Sequence, residues 1–320
     1  MSVICLGELL IDRVVDRQGD RQSLPGGAPA NVAVALSRLG LSVAFMGAVG
    51  NDVWGDYLAQ MLQSHGIDCQ GLQRCSAPTR IVEVHCADNG DRRFGGFIGE
   101  STTAFADAQI APHKLPLHRL QTVSALITGT LGMAYPVTRS TMMAAVDAVK
   151  ARGSKLIIDV NWRSTFWPEP ETAFAILVPW LQQADVIKLS VDDAMALFLT
   201  ADLTTLISQL SCSDILLTDG GRGCQYVLSG HAGRVPGFEI AAVETTGAGD
   251  AFLAGIVHQL LAHDWYFSTP QQATKAVQFA NAMGALTTLK PGAIAAQPTA
   301  GELLDFLHAH TGQHWTIDRV

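Results

Sequence analysis

The sequence predicts an α/β fold: a mostly parallel sheet with helices on both faces and a small second sheet beside it as a lid. Three observations carry the prediction. Short apolar runs alternate with helical periodicity over most of the 320 residues, as they do where parallel strands are buried between crossover helices. Residues 79–98 break that rhythm. There Thr79-Arg80-Ile81-Val82-Glu83-Val84-His85-Cys86-Ala87 alternates in polarity, Asp88-Asn89-Gly90-Asp91 makes a turn, and a second run follows over Arg92–Ile98. A hairpin with one solvated face reads this way. Finally, 48% of the residues are hydrophobic and 16% charged, enough for a large core and too apolar for disorder.

The strands of the main sheet are read at Val3–Leu6 continuing to Ile11, Val43–Val49, Ala125–Thr128, Lys155–Asp159, Val186–Leu189 and Ile215–Thr218. Helices are read over 29–39, 54–65, 136–151, 171–183, 191–199, 202–210, 249–262, 270–288 and 299–309. The first is the best punctuated. Pro29 suits the first helical position, where a missing N–H costs nothing, and Gly40 suits the left-handed position after the end. Val32, Leu36 and Leu39 make one apolar face between them. The hairpin at 79–98, with residues 13–24, forms the small sheet, and a flap beside a cleft acts as a lid. A plain surface hairpin is the competing reading. Residues 1–310 form one α/β domain with its lid, and 311–320 a loosely attached tail.

Lys plus Arg total 21 against 29 Asp plus Glu, a net charge of −8. That balance argues against a nucleic-acid binder, which needs a basic face. No stretch approaches the run of about 18 apolar residues that a membrane span requires. The start, Met1-Ser2-Val3-Ile4-Cys5-Leu6, lacks the basic region of a signal peptide and reads as the first strand. Six cysteines at 5, 69, 75, 86, 212 and 224 contain no C-x-x-C pair. They read as reduced thiols of a cytoplasmic protein. His308, His310 and His314 are read as residues suited to a helix terminus rather than as a metal site.

The stretch richest in chemistry is Glu244-Thr245-Thr246-Gly247-Ala248-Gly249-Asp250-Ala251-Phe252. Small residues let successive N–H groups converge into an anion nest at a helix N-terminus. An acid inside such a nest weakens simple anion binding. Asp250 therefore makes sense as a base that takes a proton from a hydroxyl while the nest stabilises a transferring phosphoryl group. The competing reading is that Asp250 only complements the helix dipole. The stretch is neither a Walker A loop nor a dinucleotide fingerprint.

A second stretch, Pro25-Gly26-Gly27-Ala28-Pro29-Ala30-Asn31, precedes the first helix. Its glycines permit close approach of backbone to ligand. Asp12, read at the end of the first strand, borders the crevice where an open α/β sheet binds its ligand. With Asn31 it offers the acceptors and donors that a polyhydroxyl compound requires. Arg163, in Asp159-Val160-Asn161-Trp162-Arg163, follows a strand end and can aim a planar guanidinium at a phosphate or carboxylate. A surface salt bridge is its competing reading.

Pro25-Gly26-Gly27-Ala28-Pro29-Ala30-Asn31-Val32-Ala33 and Thr245-Thr246-Gly247-Ala248-Gly249-Asp250-Ala251-Phe252 resemble the two signatures of the ribokinase/pfkB family of sugar kinases. The resemblance runs in order over roughly residues 2 to 309. Gly7-Glu8-Leu9-Leu10-Ile11-Asp12, Asp159–Arg163 and Ala280-Asn281-Ala282-Met283-Gly284-Ala285-Leu286-Thr287-Thr288 resemble its fructokinase branch. The resemblance implies a Rossmann-like, ribokinase-like domain with a β lid, ATP and Mg²⁺ as co-substrates, and phosphorylation of a primary hydroxyl.

By matching motif it implies Asp250 as catalytic base, with the amides of Gly247, Ala248 and Gly249 as anion hole; Arg163 joins the catalytic set on its strand-end position alone. Asp12, Gly26, Gly27 and Asn31 take the sugar positions. Thr218-Asp219-Gly220-Gly221-Arg222-Gly223 resembles the turn along the nucleotide; Thr218, Gly220 and Gly223 are its matching residues, and Lys188 and Asn281 join them. Glu244, Thr246 and the loop around Ala293 match the place of a monovalent cation, K⁺.

Three departures stand out. Glu244 replaces an aspartate. Ser190-Val191-Asp192-Asp193 replaces an N-x-x-E element, leaving Asp193 to organise Mg²⁺ through water. The lid strand leads into Gly95-Gly96-Phe97-Ile98-Gly99-Glu100-Ser101-Thr102, without the Arg or Pro-Ser-Ala-Asp stretch of typical fructokinases. The expected activity is ATP-dependent conversion of fructose to fructose 6-phosphate by a homodimer paired through its lid edges. The alternatives are a kinase for 2-keto-3-deoxygluconate or for a riboside or nucleoside, and a catalytically silent sugar or nucleotide sensor.

Overall fold

Apolar runs that are buried on both faces must pair in parallel and be covered twice, and the chain does this around one large sheet. A computed structural model describes residues 2–15, 19–86, 92–99 and 101–317. The strands are β1 (Ser2–Leu6), β2 (Leu10–Val15), β3 (Arg21–Gly26), β4 (Ser42–Gly50), β5 (Asp68–Cys75), β6 (Ile81–Cys86), β7 (Arg92–Phe97), β8 (Ala125–Thr128), β9 (Lys155–Asp159), β10 (Val186–Ser190), β11 (Asp214–Thr218), β12 (Cys224–Leu228) and β13 (His231–Val235). The helices are α1 (Ala28–Arg38), α2 (Val53–Ser64), α3 (Leu117–Leu120), α4 (Pro136–Lys150), α5 (Ala173–Leu181), α6 (Val191–Phe198), α7 (Leu203–Leu210), α8 (Ala248–Ala262), α9 (Pro270–Thr287) and α10 (Ala300–Thr311). Every helix read from the sequence is present. None of the described helices is long and apolar enough to cross a membrane.

The main sheet runs β13-β12-β11-β10-β9-β8-β1-β4-β5. It is parallel from β11 to β5, and β12 and β13 close one end as an antiparallel hairpin. The order of connection reverses at β1, so the crevice for a ligand lies outside the carboxyl ends of β1 and its neighbours. Alternate residues of β1 feed opposite cores. Val3 and Cys5 pack with α1, α2, α8, α9 and α10, whereas Ile4 and Leu6 pack with α4 to α7, the period of two that a buried strand imposes.

The first strand stops at Leu6 instead of running on to Ile11. A Cβ on Gly7 would fall 2.6 Å from the Pro29 ring, so the chain turns there beneath α1. Leu10–Val15 then joins a second sheet of order β3-β2-β6-β7. Asp12 consequently lies within the lid strand β2, not at the end of the first strand. The turn read at Asp88–Asp91 lies outside the described residues.

The sequence reading also left out β5 and the β12–β13 hairpin. The tail differs too, since Trp315 and Ile317 pack partly buried against the core. The Trp315 indole donates to Thr311 Oγ1 at 3.1 Å, which docks the segment through Ile317.

Candidate active site

A cleft of about 760 Å³ opens at the carboxyl ends of the central strands, between them and the lid sheet. Helix α8 points its first turn into it. Gly247 caps that helix at φ 82°, and a Cβ there would lie 3.0 Å from the Ala293 backbone, so both dihedral and space require glycine. The first helical bond runs from Ala251 N–H to Gly247 O, leaving earlier amides for a ligand. Ala248 N–H is not among them, because it donates to Thr245 O at 3.2 Å. Gly247 and Gly249 are the residues on either side of it in the same turn.

Asp250 follows in the same turn. The two glycine-containing signatures meet here, as Asn31 Nδ2, one turn into α1, donates to Asp250 Oδ2 at 2.7 Å across 219 positions of chain. Burial pushes the Asp250 carboxyl above the ordinary aspartate range, against the opposing pull of Lys188, the Asn31 bond and Arg163.

Lys188 lies on β10 beneath the nest, 2.9 Å from Asp159 Oδ2 on β9. Burial pulls its ammonium down, but Asp159 and then Asp250 outweigh that and hold it above its usual value. A Cβ on Gly249 would come 2.9 Å from this Nζ. Lys188 is thus a fixed positive charge under the nest and the acid.

Asp193 closes a capping box at the start of α6. Its Oδ2 accepts Ser190 N–H and its Oδ1 accepts Trp162 N–H, each at 2.9 Å. It thereby ties the loop after β9 to the end of β10. That loop carries Asn161 at φ 35° and Arg163, whose exposed Nη1 donates to the adjacent Trp162 carbonyl at 2.7 Å.

Of the other expected residues, Asp12, Gly27, Thr218, Gly220, Gly223 and Asn281 line the cleft. Asn281 spends its amide on Pro236 O at 3.0 Å and Val235 O at 3.3 Å, so it fixes that wall of the cleft rather than offering free donors. Gly26 is outside the lining, and a Cβ on it would strike Asp12 Oδ2 at 2.3 Å; it makes room for that carboxylate. Thr246 lines the cleft, while Glu244 and Ala293 stand behind it. Glu244 Oε2 accepts Gly292 N–H at 3.1 Å, and Ala293 O accepts the Gln297 amide at 2.9 Å.

Two features escaped the sequence reading. Glu8, 6% exposed, lines the cleft beside Asp250 and accepts Ala28 N–H at 3.1 Å. An acid directly after a buried strand was its only signal. The second is a buried Arg–Asp pair beside the lid sheet. Arg80, just before β6, binds Asp107, from the turns after β7, through Nε at 2.7 Å and Nη2 at 2.8 Å. Phe97, Phe105, Tyr135 and Phe166 surround its guanidinium, and Phe166 presents itself to the cleft.

A helix N-terminus with a buried acid in its first turn, facing a cleft beside a second sheet, is an arrangement that suits phosphoryl transfer. A model of the pfkB family of carbohydrate kinases matches residues 1–300. The chain belongs to the pfkB family of carbohydrate kinases. This kinase is 36% identical over 319 residues to a probable fructokinase-2 of Arabidopsis thaliana, covering 95% of each chain. Among solved structures it resembles the fructokinase of Xylella fastidiosa with bound ATP, at 28% identity and a TM-score of 0.87 over 96% of this chain and 98% of that one. A fructokinase of Vibrio cholerae O395 in fructose-, ADP- and calcium-bound form follows at 29% identity and a TM-score of 0.84, with the same coverage.

Proposed function

We propose that this pfkB kinase transfers the terminal phosphoryl group of ATP to fructose, giving fructose 6-phosphate, with Asp250 as general base. The observation that carries the reading is the 2.7 Å bond from Asn31 to Asp250, which joins the hydroxyl-binding end to the base and nest in one cleft. The names of the relatives supply fructose. Asp12, Gly27 and Asn31 orient the sugar so that its primary hydroxyl meets Asp250. The raised pKa of that carboxyl makes it a better proton acceptor near neutral pH than an ordinary aspartate. As the oxygen attacks, the proton passes to Asp250, and the amides of Gly247 and Gly249 stabilise charge on the transferring group, with Lys188 fixed below. The transition state is loose and asks little early deprotonation, so positioning and charge neutralisation do most of the catalysis.

At the nucleotide end, Thr218, Gly220 and Gly223 follow the phosphates and Asn281 shapes the base pocket. Arg163 is exposed at the rim and would exchange its bond to the Trp162 carbonyl for one to a phosphate. Asp193 suits Mg²⁺ held through water: each oxygen accepts one backbone N–H and keeps a further lone pair. The ion would neutralise phosphate charge there. The oxygen donors of Glu244, Thr246 and Ala293 suit a monovalent cation such as K⁺. The keto acid is disfavoured because a carboxylate needs a second cation, and among the described residues the buried cations near the cleft, Arg80 and Lys188, are committed to Asp107 and Asp159. We place the working protein in the cytoplasm as a homodimer joined through the lid edges β3 and β7.

The test is a coupled ADP-release assay with ATP and Mg²⁺, with and without K⁺. Fructose, glucose, ribose, 2-keto-3-deoxygluconate and a set of nucleosides serve as acceptors. Turnover confined to fructose is expected. Activity on another acceptor with fructose silent overturns the substrate, and binding of fructose without ADP release overturns the catalytic reading.

A further inference from the structure

Helix α1 carries Asn31, and the start of that helix is poorly equipped to hold itself. Its N-cap is Gly27, at φ 109° and with no side chain to accept an amide. Pro29 contributes no N–H, and Asn31 N–H is satisfied by Gly27 O at 2.9 Å. The Ala28 amide is left to a partner from elsewhere, and that partner is Glu8 Oε1 at 3.1 Å. The backbones meet as well, because a Cβ on Gly27 would fall 2.4 Å from the Glu8 carbonyl oxygen. Glu8 itself is anchored by the preceding residue, whose amide donates to Met46 O on β4. A continuous chain of contacts therefore runs from the end of β1 through Glu8 and the first turn of α1 to Asn31 and Asp250.

We propose that Glu8 is a positioning residue for the transfer, a remote cap on α1 that sets where Asn31 grips Asp250. This rests on the sugar-kinase reading given above. A neutral carboxyl keeps this cap without adding a charge beside Asp250. The charged groups around Glu8 are Asp107, paired with Arg80, and Asp250, which feels Lys188 and Arg163; Asp12 lines the same cleft. Burial first, then Asp107 and Asp250, push the Glu8 carboxyl up to about 8, against the pull of its own and the Ala28 amides. Ionisation above that pH sets a buried negative charge beside the base and disturbs its grip.

The experiment compares kcat and KM of the wild type, Glu8→Gln and Glu8→Ala from pH 6 to 9.5. Glutamine keeps an acceptor for Ala28 without an ionisation, whereas alanine removes the cap. In the wild type, kcat falls roughly tenfold from pH 7 to 9 as a group of pKa about 8 ionises. Glu8→Gln abolishes that fall. Glu8→Ala lowers kcat on the order of tenfold or more at every pH, with KM for the sugar changing less, and Glu8→Gln restores most of it. An alkaline fall that survives in Glu8→Gln, or equal kcat in the two variants, overturns the proposal and leaves the kinase reading standing. If no acceptor is phosphorylated at all, the kinase reading fails, and amide hydrogen exchange at Ala28 decides the proposal. Protection lost in Glu8→Ala and kept in Glu8→Gln supports it, and equal protection in the two overturns it.

Discussion

Replacing Arg80 by methionine tests how the base of the lid sheet is held. The Arg80 guanidinium is 1% exposed and Asp107 4% exposed, and two charge-assisted bonds of 2.7 and 2.8 Å join them. Nη2 also donates to Thr102 O at 2.8 Å and to Tyr135 Oη at 3.1 Å. Methionine keeps much of the apolar stem inside the aromatic cage and removes the charge, which strands a buried carboxylate. Breaking such a pair from one side costs about 3–5 kcal/mol. For 320 residues at about 2.1 cal/mol/K each, the entropy of unfolding is about 0.7 kcal/mol/K. A loss of about 4 kcal/mol then lowers Tm by about 6 °C. Calorimetry on Arg80→Met measures this directly. The double variant Arg80→Met/Asp107→Leu removes the stranded charge and recovers at least about half of the loss, since an apolar replacement of a whole buried pair is often neutral. A Tm within about 1.5 °C of wild type in the single variant refutes the reasoning, as does a double variant no more stable than the single.

Asp250→Asn lowers kcat by about 10² or more and leaves the sugar Kd nearly as it was; near-normal turnover removes Asp250 from the chemistry. Gly247→Ala places a side chain at φ 82°, costs about 1–2 kcal/mol in thermal unfolding and lowers kcat by shifting the nest, so an unaffected kcat shows that the nest does not act. Lys188→Met removes the charge that most depresses the Asp250 pKa. Since Asp250 accepts a proton only when ionised, the acid limb of kcat/KM moves to higher pH, and an unmoved limb disproves the coupling. Light scattering is expected to give about 68 kDa, twice the chain mass of 34.1 kDa, and a monomer mass at micromolar concentration excludes the dimer.

What the sequence disclosed and what it hid divide by range. Parallel strands buried on both faces leave long apolar runs, and amphipathic helices leave a period of 3.6, so the main sheet and its helices were readable locally. The β12–β13 hairpin was missed, although Ser229-Gly230 is a pair suited to its two-residue turn, where both residues take positive φ. β5 carries Asp, Gln and Arg on the edge of the sheet, a composition that does not announce a strand. Gly247, Asp250 and Asn31 stood out because glycine turns before helices constrain residue type at each position. Glu8 and Arg80 had no such local mark. The sequence places Arg80 and Asp107 27 positions apart, and they become partners only because the β6–β7 hairpin folds back between them. The stretch expected after the lid strand is absent, and the buried pair beside the lid is drawn from either side of that hairpin. Motif comparison reads residues in order along the chain, whereas burial asks only that each charge find its partner in space. A reading along the chain therefore passes over a pair of this kind, which only the folded protein brings together.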